Sequence, residues 1–435
     1  MSLRQAARAV FDAALQAADV HPLVDHALGA VRLPERGRVL VVGAGKASGA
    51  MAAAVEAGLS ERIADGLVVV KDGYGASTSR IRIVEAGHPV PDARGEAAAR
   101  EIRTLAEGAG PDDLLLVLVS GGGSALTPAP VPPIALADKQ AMTRLLLAAG
   151  ANINQLNAVR KHCSLLKGGQ LARAAAPARV HALLLSDVIG DPLDVIASGP
   201  TAPDASTFAD ALAILDRFEL RARAPASILE RLERGRRGEI PETPKPDDPV
   251  FGGVTNTVIG NNFLVVNAAA ARARAVGYTP HVLTRALEGE ARDVARTLVG
   301  LARQVRESRG PVPAPACLIA GGETTVTVRG RGLGGRCQEF ALAVALELEG
   351  MDGVVALAAG TDGTDGPTEA AGAIADGMTT ARARQHGHDP RRRLDDNDSN
   401  PLFASLGDLV VTGPTNTNLL DLYLLLIASP VTGPA

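Results

Sequence analysis

Runs of consecutive apolar residues recur along the chain, and each stops abruptly at glycines mixed with hydroxyl, acidic or basic residues. Residues 38–42 (RVLVV) break into Gly43-Ala44-Gly45-Lys46-Ala47-Ser48-Gly49, and residues 114–119 (LLLVLV) into Ser120-Gly121-Gly122-Gly123-Ser124. Residues 180–185 (VHALLL) end in Ser186-Asp187-Val188-Ile189-Gly190-Asp191, and residues 353–359 (GVVALAA) in Gly360-Thr361-Asp362-Gly363-Thr364-Asp365. Runs without polar alternation predict strands buried on both faces, and therefore a parallel sheet covered by helices on each side. Shorter strands are predicted at 66–71, 81–85, 257–259, 278–283 and 408–411, with helices at 50–59, 93–107, 152–169 and 261–275. The fold class is α/β.

Residues 317–346 carry the densest pattern: an apolar strand, the tip Gly321-Gly322-Glu323, and an alternating Thr-Val stretch at 324–328 that predicts another strand. The loop Arg329-Gly330-Arg331-Gly332-Leu333-Gly334-Gly335-Arg336 follows, and Phe340, Leu342, Val344 and Leu346 then mark a helix. Residues 231–249 are charged, rich in proline and without periodicity, which predicts a linker. The expected domains are 1–238 and 251–435, joined by 239–250.

A chain of 435 residues is too long for one core and fits two domains or three. The net charge of -4, with no Trp, three Tyr and seven Phe, leaves neither a basic footprint nor stacking surfaces for nucleic acid. Three scattered cysteines exclude a disulfide framework and a cysteine zinc site, and charges within the first helix exclude a signal peptide. The longest apolar run, 419–428, falls short of the roughly 20 residues that span a bilayer and contains Asp421. A cytoplasmic protein is expected, monomeric or homodimeric.

In open α/β sheets ligands bind outside the carboxyl ends of the strands, so the glycine tips are expected to converge on one cleft between the two domains. Lys46 sits where a helix begins, an unfavourable place for a cation unless an anion lies between, so it points to phosphate. Three successive glycines between Ser120 and Ser124 form a nest of amides suited to polyphosphate. Arg336, at the start of a helix and behind a glycine loop, is expected to hold an anion at that helix start. Asp187 and Asp191 fit magnesium ligation, acceptance of a hydroxyl proton, or helix capping. His88 fits a ligand contact or a turn residue, and the amide and basic groups at 152–169 fit either a wet surface or a cleft lining. The Gly360 tip with Asp362 fits Mg²⁺ or hydrogen bonds to a polyol, and Glu323 is a further candidate for the metal, whereas the acidic loop 395–398 is expected to be solvated.

Taken in order, these motifs resemble the type II glycerate kinases, which combine a Rossmann-like N-terminal domain with a C-terminal MOFRL domain. The resemblance rests on the Lys46 turn, residues 120–124, Asn157-Ala158-Val159-Arg160-Lys161-His162, residues 186–191 with Ser198-Gly199-Pro200-Thr201, Gly321 to Thr325, and Gly360 to Gly363. It implies transfer of the ATP γ-phosphate to the 2-hydroxyl of D-glycerate, with Mg²⁺. The lysine and arginine implicated in that family match Lys46 and Arg336. The expected site then has Lys46, Arg336, Asp187 and Asp191 in catalysis, and Gly43, Gly45, Ser120, Gly121, Gly122, Gly123 and Ser124 on nucleotide phosphates. Asn157, Arg160, Lys161 and Glu323 are expected on glycerate, and Asp362 and Glu323 on the metal. Where the family usually reads Gly-Gly-Arg-Asn-Gln-Glu, this chain has Cys337 after Arg336. The alternatives are an NAD(P)H-dependent hydroxypyruvate reductase and a nucleotide sensor without turnover.

Overall fold

A computed structural model describes residues 1–429; residues 430–435, the end of the expected second domain, lie outside the described residues. Contacts divide the chain into two units, one of Val20–Ile259 and one of Met1–Asp19 together with the chain from Gly260 onward.

The first unit is built on a six-stranded sheet. Its strands are β1 (Val39–Ala44), β2 (Ile63–Lys71), β3 (Arg82–Ala86), β4 (Leu114–Val119), β5 (Arg179–Leu185) and β6 (Val254–Gly260), in the order β3-β2-β1-β4-β5-β6. The four pairings from β3 across to β5 are parallel. β1 and β4 are buried along their whole length, as expected of strands with helices on both faces. Beside the sheet, the helices Leu136–Ala148, Ile153–His162, Phe208–Arg217 and Ala226–Arg236 share their own apolar cluster, which includes Met142, Leu156, Phe208 and Leu232.

Residues 239–250 are not the expected linker. The segment has bends and a turn closed by Asp248 N on Lys245 O, and its polar side chains are partners of buried groups. Thr243 is 2 % exposed and donates to Asp204, while Glu242 accepts from the Phe208 amide and bonds His162 at 3.0 Å. β6 then continues the same sheet, so the first unit runs on to residue 259. The helix expected over 152–169 ends at His162; beyond it Ser164 bridges to Pro130, and Gly168 and Gly169 turn the chain with positive φ.

The second unit has β7 (Thr279–Leu287), β8 (Ala316–Gly322), β9 (Val354–Gly360), β10 (Gly372–Asp376), β11 (Leu409–Val410) and β12 (Asp421–Ile427), ordered β11-β10-β9-β12-β8-β7. Only β7 and β8 pair in parallel, and the remaining pairs are antiparallel. The apolar run too short to span a bilayer is β12, a fully buried strand between β8 and β9. The expected strand at 324–328 is absent: Thr325 makes one isolated bridge to Glu290, and Val328 is 75 % exposed. Its alternation is held by side chains instead, with Thr324 on Tyr423 and Thr327 on Glu290.

The N-terminal helix Leu3–Ala17 belongs to this second unit, which corrects the expected 1–238 domain. Its stripe of Ala6, Ala7, Val10, Phe11 and Ala14 is buried, and Arg4 binds Asp376 and Asp408, both far along the chain. Among the described residues no helix is long and apolar enough to cross a membrane.

Candidate active site

β1 and β4 are neighbours at the point where the strand order of the first sheet reverses, so the Gly43 and Ser120 turns meet at the usual ligand crevice of such sheets. The β1 turn spends its amides internally. Gly45 N donates to Val69 O at 3.1 Å, Lys46 N to Gly121 O at 2.9 Å, Ala47 N to Ser120 Oγ at 3.0 Å and Ser48 N to Gly45 O at 3.2 Å. A Cβ on Gly45, whose φ is +149°, would stand 2.0 Å from Ser120 Oγ, so this glycine exists to let the two turns touch. Gly43, packed against Leu118, and the buried Ser120 serve the same joint, in place of the expected phosphate contacts.

The amides of Gly121 and Gly122, by contrast, have no acceptor among the described residues. The space a side chain would take at Gly122 lies 2.9 Å from His88 Nε2 and 3.6 Å from Lys46 Cγ. His88 and the Lys46 stem therefore both pack against Gly122, in the turn that carries the two open amides. Burial, and then the charges of Lys46 and Lys71, push the His88 pKa down to about 4, so its imidazole is neutral near pH 7. Gly123 starts a one-turn helix, Gly123–Leu126, and Ser124 faces a polar chain. In that chain Arg160 Nη2 donates to Ser124 Oγ at 2.5 Å, Ser124 and Ser198 hydroxyls lie 2.8 Å apart, and Ser198 donates to Asn157 Oδ1 at 2.9 Å. Ala197 and Ser198 hold positive φ of 48° and 63°, a strain of the kind found where a chain is forced toward a ligand.

One expected substrate group, Lys161, is placed differently. Lys161 is buried and paired with Asp194 at 3.1 Å and Asp204 at 3.4 Å, which makes it an internal ion pair and not a contact for glycerate. Asp187 and Asp191 lie half-buried in the turn after β5, the strand beside β4, with Asp191 in the left-handed region at φ 53°.

In the second unit, Arg336 opens the helix Arg336–Glu347 as expected, but its anion is part of the protein. Its Nε and Nη2 grip the two oxygens of Asp421 at 2.5 and 2.9 Å, and its Nη1 meets Glu323 at 2.8 Å. The helix start is filled by Asp365, which accepts from the amides of Cys337 and Gln338 at 3.1 and 2.8 Å. The expectation of a ligand anion at that helix start is therefore corrected. Burial raises the Asp365 pKa to about 6 against those hydrogen bonds. A Cβ on Gly335 would stand 2.3 Å from Asp365, so the loop glycine admits this carboxylate.

The acidic loop 395–398 is not simply solvated. Asn397 accepts from the amides of Arg329 and Gly330, and Asp398 from that of Leu333, so it backs the arginine loop. Cys337 is fully buried, and Gln338 and Glu339 are held by Asp365, Thr368 and Asn400 and by Arg292 and Asn397 respectively. Glu323 and Asp362 follow β8 and β9 at the end of the sheet where β12 begins, and Asp362 Oδ1 accepts from Thr364. Among the described residues no three His, Cys, Asp or Glu side chains form a metal cluster. Asp421 and Asp365 are the groups that sequence reasoning missed. Asp421 was visible as the one acid inside an apolar run, and Asp365 as the second acid of a repeated Gly-Thr-Asp.

Comparison with known proteins agrees with the motif order. The chain matches a domain of unknown function, DUF4147, over residues 6–233, and the MOFRL family over residues 316–421. It is 43% identical to a protein of Thermotoga maritima named D-glycerate 2-kinase over 393 residues, 90% of this chain and 91% of that protein. It is 45% identical, over 98% of this chain and 95% of the relative, to an Agrobacterium vitis protein provisionally named hydroxypyruvate reductase. The crystal structure of a glycerate kinase from Thermotoga maritima superimposes with a TM-score of 0.90 at 40% identity, covering 98% of this chain and 99% of that one. On sequence, motif order and fold together, the chain belongs to the glycerate 2-kinase family with its MOFRL domain.

Proposed function

We propose that the protein transfers the γ-phosphate of ATP to the 2-hydroxyl of D-glycerate, giving 2-phospho-D-glycerate and ADP. The observation that carries this reading is the grouping of Lys46, neutral His88 and the open amides of Gly121 and Gly122 at the switch point of the first sheet. Phosphoryl transfer needs little covalent chemistry from the protein; it needs donors and cations aimed at phosphate oxygens and an acceptor held in line. The amides of Gly121 and Gly122 supply fixed donors, and Lys46 a positive charge. Asp187 or Asp191 would take the hydroxyl proton as the new O–P bond forms and the γ-phosphate leaves ADP. The reductase reading is weakened by the β1 turn, because a dinucleotide pyrophosphate needs the amides that Gly45, Lys46 and Ala47 have already committed.

Incubation with D-glycerate and ATP, with the phosphate position read by NMR, tests the reading. A 2-phosphate is expected. NADH oxidation with hydroxypyruvate and no phosphoryl product would establish the reductase, and ATP binding without turnover a sensor.

Mg²⁺ is part of the proposal. It dehydrates reluctantly and is held by one or two carboxylates plus substrate phosphates and waters, so a three-residue cage is not required. Asp362 fits this use: its Oδ1 and that of Asp421 flank the position above Gly360, at 3.4 and 3.2 Å from it. Glu323, paired with Arg336, serves better to orient that arginine than to bind metal. When bound, the ion would neutralise charge on the transferred phosphate. Asp362→Asn is expected to raise the Mg²⁺ concentration for half-maximal rate by about tenfold or more, with the fold retained. An unchanged Mg²⁺ titration removes Asp362 from the metal site. A cytoplasmic location, where ATP is abundant and the three buried free thiols stay reduced, accords with this chemistry.

A further inference from the structure

Beside the β4 tip the first unit contains a cavity of about 410 Å³, lined among others by His88, Gly122, Ser124, Lys139, Arg144 and Arg160. Its floor is made of cations without anions. Lys139, from the helix Leu136–Ala148, is 4 % exposed, and its Nζ is buried with no hydrogen-bond partner among the described residues. Arg160 spends one guanidinium nitrogen on Ser124, but its Nε is buried and equally unmatched, as is Nδ2 of Asn157 one turn earlier. A desolvated ammonium is among the most unfavourable groups a protein can bury, and a second cation beside it makes matters worse. Such an arrangement persists where a ligand supplies the missing charge.

We propose that Lys139 and Arg160 receive the carboxylate of the acceptor acid, forming a subsite that selects short hydroxy acids over neutral polyols. The assignment rests on the kinase reading above and extends it to a residue, Lys139, that no motif marks. The open amides assigned to phosphate belong to Gly121 and Gly122, and Gly122 lines the same cavity. A carboxylate on the cationic floor therefore leaves the hydroxyl end of a three-carbon acid for the phosphate side. Arg160 contributes a planar donor and Lys139 a point charge, a pair suited to a small carboxylate.

Proton uptake gives a second signature. Burial, and then the charge of Arg160, push the Lys139 pKa down to about 7, with Cys163 and Glu96 opposing. Lys167, which bonds Thr127 O, and Arg144 on Lys139's own helix complete the charged groups around it. At pH 8 Lys139 is mostly neutral before an anion arrives, and a bound carboxylate draws a proton onto it.

The test is calorimetric titration of D-glycerate, and separately of ATP, into the full-length protein at pH 8 in buffers of differing ionisation enthalpy, together with steady-state rates. Lys139→Met is expected to weaken D-glycerate binding and raise its KM roughly 10- to 100-fold, to abolish the proton uptake, and to leave ATP affinity unchanged. Its melting temperature should not fall, since a buried amine without a hydrogen-bond partner is removed; Lys139→Gln is the second variant and should behave alike. D-Glycerate binding that is unchanged in both variants, or a loss of ATP affinity in its place, overturns the assignment. Lys139-dependent binding of D-glycerate without any phosphoryl transfer would sustain the subsite while refuting the kinase reading.

Discussion

Lys46→Ala is expected to lower kcat/KM by at least about a hundredfold, or roughly 2.7 kcal/mol of transition-state stabilisation, without lowering the melting temperature. The magnitude follows from position. Lys46 lies where the strand order of the first sheet reverses, and its side chain runs past Gly122, whose amide and that of Gly121 have no acceptor among the described residues. A lysine on a solvated face contributes about 0–1 kcal/mol, so a hundredfold loss separates the two roles. Lys46→Met, which keeps the aliphatic stem, should lose as much as Lys46→Ala, because the charge and not the packing is responsible. His88 provides a readout independent of turnover. Its pKa is held near 4 first by burial and then by the positive charge of Lys46, so removing that charge should move the pKa upward while burial keeps it below the usual histidine range. Activity within about threefold of wild type, with an unmoved His88 titration, would remove Lys46 from the phosphate site.

The strands and their glycine tips were legible because buried parallel strands are written as uninterrupted apolar runs. β4 was read to the residue, and β1 and β5 to within two. Legibility failed where a partner is distant in sequence. The alternation at 324–328 has the period of a strand, but register in a sheet needs a neighbouring backbone, and here side chains from Tyr423 and Glu290 take that place. The charged, proline-rich residues 239–250 have a linker's composition, yet Thr243 and Glu242 complete hydrogen bonds begun by Asp204 and His162 about forty to eighty residues earlier. The N-terminal helix carries an apolar stripe that says it is buried, but not against which unit. Among the candidate site residues, Lys46, Gly121, Gly122 and Ser124 stand out in local motifs, whereas Lys139, a single lysine in an ordinary helix, takes its proposed role only from the cavity it lines. The loop at 329–336 was misread for a related reason. Its glycines and arginine have the chemistry of an anion site, and the anions prove to be Asp365 and Asp421, twenty-nine or more residues from the arginine.

Arg336→Ala is expected to lower kcat/KM by at least about a hundredfold and, unlike Lys46→Ala, to destabilise the protein as well. Asp421 is 1 % exposed, and without the guanidinium its carboxylate keeps the Tyr423 hydroxyl at 3.0 Å and the Cys337 thiol, both uncharged donors. Removing one partner of a buried ion pair costs about 3–5 kcal/mol, because the remaining charge is stranded. Burial acts to lower the Arg336 pKa, but the Asp421 hydrogen bonds more than offset it and raise it, so the guanidinium stays charged. A single substitution therefore cannot tell a catalytic arginine from a structural one. Arg336→Ala combined with Asp421→Asn can, since the double variant removes both charges and should recover most of the lost stability while activity stays down. Recovery of activity in step with stability would assign Arg336 to the framework of the β8 and β12 tips and exclude it from catalysis. Arg336→Lys should rescue neither property fully, because an ammonium cannot reproduce the two-pronged bond to Asp421 together with the third contact to Glu323. Arg331, exposed in the same loop, is the internal control: Arg331→Ala should leave both rate and melting temperature close to wild type. A crippled Arg331→Ala beside a nearly normal Arg336→Ala would instead place the working cation of this loop at its exposed end, leaving the pair with Asp421 as scaffold.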